Sequence, residues 1–372
     1  MGCVCPQFAS QIFSAKGDGL TKEETCVYGS VLTEHLERCL ELFSDILFHS
    51  TFPEREIEKE KDVVIEEINL YRDSPAELIY DEFEERFFGS HPLAHNILGT
   101  KRNVRRFSSA MLSAYVRNHY TPDRMVVSVV GNVEFSRLVR LCERYFGAEG
   151  GGMGEKVCIR DSSLLEREDT GRQAVFPNLS SSGTPVLSNT PFNVTVHKRT
   201  HQVHMLIGGA APTIFDNQKT AFTLLNNLLG GPAMNSRLNV AVREKEGFCY
   251  TIESQYVPFT DAGLFYIYAG VDSGAAERAT QLVLAQLRQL RDVPLTPQQL
   301  HAAQIQFIGQ MAITNDSGLN EMQSIGKAYL NFEHVDSLEE MNRDILALTP
   351  DDIQAAAQQY LCEETLSSLY YK

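Results

Sequence analysis

No run of about 18 apolar residues occurs in the 372-residue sequence, so no segment is expected to cross a bilayer as a helix. No basic stretch followed by a long apolar one opens it, so no secretory signal peptide is expected. Positive charge is in short supply: 33 Lys and Arg stand against 48 Asp and Glu, a formal net charge of −15. Phosphate backbones are held by clustered cations, so no nucleic-acid partner is expected. The acidity suits solubility, or basic substrates. Cysteine is thinly spread, and Cys3, Cys5, Cys26, Cys39, Cys142, Cys158, Cys249 and Cys362 form no C-x-x-C. Only Cys3 and Cys5 lie close together, which reads as a reduced, cytoplasmic-type set, not a disulfide framework or a thiolate metal site. Met1-Gly2-Cys3-Val4-Cys5 has the outline of an acylation signal, but Pro6 stands where Ser or Thr belongs. Dinucleotide and Walker motifs are absent too, and Gly230-Gly231-Pro232-Ala233 reads as a helix-ending turn.

What is present is an ordinary globular composition, 43% hydrophobic and 22% charged, in a chain long enough for two or three domains. Residues 1–20 show no period. Leu32, Leu36, Cys39, Leu40, Phe43, Ile46 and Leu47 recur at helical spacing. Further helices are predicted over 54–72, 76–88 and, after the Ser108 cap, up to His119. Met125-Val126-Val127-Ser128-Val129-Val130 reads as a buried strand. Gly150-Gly151-Gly152 and Ser180-Ser181-Ser182-Gly183 mark 148–190 as a linker between a first domain, 1–147, and a second, 191–372. In the second, strands are predicted over 203–207, 250–257, 263–271 and 367–371, with helices over 218–229, 275–290 and 297–313. Leu348-Thr349-Pro350 leads through a helix to Tyr360 and a strand, as Phe107-Ser108-Ser109 leads to Tyr120 and a strand, which points to an internal duplication. The expectation is α+β: two similar domains, each a mainly antiparallel sheet packed by helices.

Four residues could carry chemistry. Glu60 and Glu67 are seven apart, nearly above one another on the second helix, within the stripe Ile57, Val64, Ile68 and Tyr71. A metal ligand and a supporting carboxylate would explain inward carboxylates, since an unpaired buried charge is costly. Spacing alone favours a solvated stripe edge. Arg243 and Tyr250 flank Gly247, which ends a helix before a strand, and such a pair could hold a peptide carbonyl and stabilise a developing oxyanion. Residue types alone favour a surface arginine and a core tyrosine. His197, His201 and His204 make a poor metal tripod, because along a strand His204 points away from the other two. His91-Pro92-Leu93-Ala94-His95 reads as a loop.

Several blocks carry a resemblance that runs from Thr21 nearly to Lys372. They are Phe48-His49-Ser50-Thr51-Phe52, the stretch Glu60–Ile68, Tyr120-Thr121-Pro122-Asp123-Arg124-Met125, Val130-Gly131-Asn132-Val133, the stretch Leu228–Leu238 and the stretch Arg243–Tyr250. In these the chain resembles the pitrilysin–insulinase family of zinc peptidases, in its half-length bacterial and mitochondrial-processing-peptidase-like branch. The resemblance implies two similar α+β domains per chain, with two chains enclosing a chamber. It implies that Glu67 falls at the distal zinc ligand, Glu60 at a supporting carboxylate, and Arg243 and Tyr250 at the pair that engages substrate from the opposite half. The family also needs H-x-x-E-H on a helix upstream of Glu67, whose imidazoles hold zinc and whose glutamate is the general base. Here only His35 and His49 precede Glu67, neither in that motif, and Lys16-Gly17-Asp18-Gly19-Leu20 stands where the family has an Asn-Ala edge strand. The first domain therefore reads as N-terminally truncated, by native truncation, a frameshift or a diverged start. No catalytic set is intact, and no zinc is expected on this chain alone. The implied partners are a peptide or unfolded-protein substrate and a zinc-bearing relative in a homo- or heterodimer. A non-catalytic scaffold or peptide-binding subunit, and a decayed fragment of an active protease, are the other readings.

Overall fold

The computed structural model describes residues 21–147 and 190–372. The aperiodic start, the acylation-like pentapeptide and the expected linker, save its last residue, lie outside the described residues. The helices of ten or more residues are α1 (Leu36–Phe48), α2 (Glu54–Asp73), α3 (Pro75–Phe88), α4 (Ser109–His119), α5 (Phe135–Phe146), α6 (Lys219–Gly230), α7 (Ala276–Asp292), α8 (Pro297–Asn315), α9 (Gly318–Phe332), α10 (Leu338–Ala347) and α11 (Pro350–Tyr360). The strands are β1 (Asn193–Val196), β2 (Val203–Ala210), β3 (Cys249–Pro258), β4 (Gly263–Val271) and β5 (Ser367–Tyr371). Two compact units interleave along the chain, one from 1–65, 99–177 and 313–336, the other from 66–98, 178–312 and 337–372, as far as the described residues reach.

In the first unit, the apolar stripe of α1 is covered in part, with Ile46 left exposed. Leu36 and Leu40 are buried against Leu141 and Phe146 of α5, with Phe43, Leu47 and Phe48 packed at the margin. The Ser44 hydroxyl donates to the Tyr145 carbonyl at 2.6 Å. Glu134 caps α5 by accepting from the backbone N–H groups of Ser136 and Arg137, which suits a carboxylate at a helix N-terminus. Ser108 caps α4 as its sequence indicates, accepting from Met111 N. The buried strand expected over Met125–Val130 is not formed. The segment takes part in no ladder among the described residues, Val127 and Val130 are exposed, and Ser128 donates its hydroxyl to Met322 O in α9 at 2.8 Å. Apolar composition marks a segment fit for a sheet, but a strand exists only where a neighbour supplies the ladder.

In the second unit, five strands form one sheet in the order β1-β5-β2-β4-β3, parallel between β1 and β5 and antiparallel elsewhere. The α+β expectation holds, with one mixed sheet: every strand of this sheet lies beyond residue 190, and the described part of the first half contributes none to it. β4 is buried along its whole length, as its continuous apolar run suggests. On one face Phe222, Leu225 and Leu229 of α6, Val283 and Leu287 of α7 and Ala356 and Ala357 of α11 pack on Met205, Ile207, Ile252 and Ile267. On the other, Ile79, Phe83 and Phe87 of α3 meet Leu206, Leu264, Tyr266 and Leu369. That packing is why 66–98 joins the sheet's unit. Glycine is required at 230, where the end of α6 approaches β3 closely: a Cβ there would sit 2.6 Å from the Ser254 nitrogen.

α11 begins with a capping box in which the Thr349 hydroxyl accepts from Asp352 N and the Asp352 carboxylate accepts from Thr349 N at 2.8 Å. The Thr349 hydroxyl, donating to Asp352 Oδ2 at 2.7 Å, and then the Thr349 N–H hold the Asp352 carboxyl below its usual range. Thr349→Ala is expected to lower unfolding stability by about 1 kcal/mol, measured by urea titration. No change in the midpoint would mean that core packing alone fixes this end of α11.

Candidate substrate-binding site

Arg243 and Tyr250 are set by two local irregularities. Residues Asn239–Glu244 form a π-helical segment in which Val242 is fully buried, and Arg243 follows it at the rim with 40% of its side chain exposed. Asn239, itself buried, donates to the Ser236 hydroxyl at 2.9 Å and ties the preceding loop to this segment. Gly247 then takes φ of +66°, a conformation that costs a side-chain-bearing residue energy, and its N–H donates to Arg243 O at 3.0 Å. Phe248 N donates to Val242 O at 3.2 Å, so the chain doubles back tightly into β3.

β3 is an edge strand, and its pairing with β4 slips by one residue. Cys249 faces Val271 and Thr251 faces Gly270, so Tyr250 is an unpaired bulge residue. A bulge re-aims side chains and strengthens local twist. Here it places Tyr250 and Thr251 both in solvent between buried Cys249 and Ile252, with Tyr250 84% exposed. Its hydroxyl has no hydrogen-bond partner among the described residues. The nearest anion to Arg243 is its neighbour Glu244, at 3.8 Å. The Cys249 thiol is pushed up to about 11 by burial, partly offset by the Arg243 charge, so it is a neutral packing group and no nucleophile. A core tyrosine is thus ruled out. A cation and a phenol are both offered outward from one short segment.

Glu60 and Glu67 lie on α2 as expected, but neither faces inward. Ile57 and Ile68 are 8% and 4% exposed, whereas both glutamates are exposed. At about 100° per residue they sit about 60–80° off the line through Ile57, Val64 and Ile68, enough to reach water. No cluster of three metal-ligating side chains among the described residues includes either of them. The three neighbouring histidines do not form a site: His197 and His201 lie in the connection after β1, while His204 is on β2 with Nδ1 at 2.8 Å from the Tyr268 hydroxyl. His91 is a buried structural residue. Its Nδ1 accepts from Leu93 N, so Nε2 carries the proton and donates to Asp261 Oδ2 at 3.2 Å.

Sequence reading missed the bulge and the π-helical segment. A signal for the first was present, since Tyr250-Thr251 breaks the in–out alternation between Cys249 and Ile252.

A family model described as "Insulinase (Peptidase family M16)" matches residues 19–101, and one described as "Peptidase M16 inactive domain" matches 106–307. Among curated relatives, the "Uncharacterized zinc protease YmxG" of Bacillus subtilis (strain 168) is 30% identical over 347 residues, which are 92% of this chain and 77% of that protein. An "Uncharacterized zinc protease" of Rickettsia bellii is 25% identical over 93% of this chain and 77% of its own length. The fold is similar to that of a protease from Helicobacter pylori, with a TM-score of 0.76 at 20% identity over 91% of this chain and 77% of that one. It is also similar to a peptidase M16 inactive domain from Pseudomonas fluorescens, with a TM-score of 0.75 at 19% identity over 92% and 76%.

Proposed function

Since the chain belongs to the insulinase (M16) family of peptidases, we propose that it holds peptide for cleavage by a zinc-bearing partner subunit and does not cut peptide alone. The observation that carries this reading is the outward presentation of Arg243 and Tyr250 by the π-helical segment and the edge-strand bulge. An arginine and a tyrosine offered to solvent, with no demanding partner of their own, can hydrogen-bond a substrate carbonyl and the oxyanion that develops from it. The partner's chamber would supply the nucleophile and the rest of the catalytic set. No helix among the described residues is long and apolar enough to cross a membrane.

The zinc named for the relatives does not fit the donors described here. A catalytic zinc needs three protein ligands of imidazole or carboxylate type and an open position. Glu67 is exposed, and among the described residues no imidazole joins it in a cluster. Glu60 is one carboxylate more, not the missing nitrogen donors. No step of the chemistry is therefore assigned to a metal on this chain.

The purified 372-residue chain is expected to retain less than one zinc per molecule after gel filtration and to leave unstructured peptides intact. Elemental analysis and a quenched-fluorophore peptide assay measure both. Peptidase activity from homogeneous protein that a chelator abolishes would defeat the proposal.

A further inference from the structure

Three residues along β3 from Tyr250 stands Glu253, and its surroundings are those of a receptor lacking its counter-ion. The side chain is half-buried, on the face of the sheet that α3 covers. Its Oε1 accepts from the Tyr80 hydroxyl at 3.2 Å and from Gln255 Nε2 at 2.9 Å, both neutral donors. Oε2 accepts nothing, and no Lys, Arg or His pairs with the carboxylate among the described residues. Around it lie three phenol rings. Tyr80 is 5.1 Å from Tyr266 and 5.3 Å from Tyr268, centroid to centroid, and Tyr266 is anchored by donating to Gln255 Oε1 at 3.0 Å. Across the sheet, Thr251, Gly270 and His204 form the adjacent cross-strand row. Gly270 carries no side chain, and the space above it is lined by polar atoms: an added Cβ would meet Gln202 Oε1 at 3.2 Å and the Tyr268 hydroxyl at 3.6 Å. Burial, and then the negative charge of Glu253, raise the Tyr80 and Tyr268 hydroxyls; the Tyr266 hydroxyl is raised by burial and by Glu84, Glu253 and Asp81 together.

A half-buried carboxylate is costly unless paired, and aromatic faces beside it attract the same sign of charge that it does. We propose that Glu253, framed by Tyr80, Tyr266 and Tyr268, is a subsite for the guanidinium or ammonium of an arginine or lysine side chain in a bound peptide. That the cation arrives on a peptide rests on the function proposed above; that the site takes a cation rests on its own geometry. Tyr250 and Thr251 then hold the adjacent stretch of peptide, and the strand that carries them also selects for a basic residue.

Two measurements on the full chain separate these claims. L-Argininamide is observed by saturation-transfer NMR with wild type and with Glu253→Gln, which keeps the shape and both accepted hydrogen bonds. Transfer with wild type and its loss in Glu253→Gln is expected; no transfer with wild type, or equal transfer with both, overturns the subsite. Fluorescence anisotropy then compares two unstructured peptides that differ only in arginine against citrulline. Wild type should prefer arginine by about tenfold and Glu253→Gln should bind both alike, at the citrulline level. Equal affinities with wild type would overturn the peptide assignment. If argininamide binds through Glu253 but neither peptide binds, the cation subsite stands and the peptide-holding function falls.

Discussion

Arg243→Ala is expected to slow peptide turnover by the complex of this chain with a zinc-bearing relative by about 10²-fold, the loss of about 3 kcal/mol that follows removal of one oxyanion donor. Tyr250→Phe removes only a hydroxyl and should act in the same direction. Neither change should disturb the fold. The Tyr250 hydroxyl has no partner among the described residues, and its ring is 84% exposed. Arg243 has only the adjacent Glu244 at 3.8 Å, an exposed pair of the kind that contributes little. Gel filtration and zinc content of the mixed complex should therefore match wild type while kcat/KM falls. If the three proteins turn over substrate at the same rate, Arg243 and Tyr250 are surface residues and a non-catalytic scaffold becomes the better reading.

The largest effect on stability is expected from Phe222→Ala. Phe222 is fully buried in α6, with its ring edge-to-face against Tyr256 at 5.0 Å, Tyr360 at 5.4 Å and Phe265 at 5.6 Å. It thereby joins the edge strand, a central strand and α11. Truncation removes the transfer energy of the ring and leaves a cavity that three aromatic neighbours cannot collapse into, a cost of about 3–5 kcal/mol. That is a large fraction of the roughly 5–15 kcal/mol that holds a domain folded. Phe222→Leu, which keeps much of the volume, should lose distinctly less. Urea unfolding of the three proteins checks the order, and equal midpoints for Ala and Leu would show that the site relaxes.

Elements with strong local signals were legible in the sequence. β4 and β5 span the residues expected of them, and α3, α6 and α8 agree to within two residues, because apolar period, Pro and capping residues fix a helix or a doubly buried strand locally. Met125–Val130 shows the limit. Its composition is that of a strand, but pairing is a property of the neighbour and cannot be read from the segment. The four-residue β1 gave too short a pattern to notice. At the candidate site, resemblance located Arg243 and Tyr250, while composition pointed Tyr250 into the core; the one-residue slip in β3 reverses the direction of a side chain. Glu60 and Glu67 lie at the solvated stripe edge that spacing alone favours. Tyr80 and Glu253 lie far apart in sequence and meet only when α3 reaches the sheet.

The strand order also sets a timetable. β3 and β4 are joined by a short turn, so their hairpin can zip within about microseconds of collapse. The innermost pairings of β5 are different: Asn193 must find Ser368, and Leu206 must find Leu369, across a long loop whose closure entropy is met before any contact rewards it. Until then β2 has one bare edge. A chain arrested at that stage would already display the Tyr250 bulge but would also offer β2 to any extended segment at hand. Chaperone dependence, and a yield that falls as protein concentration rises during refolding, are the traits to anticipate from a sheet whose interior strand β5 is filled last.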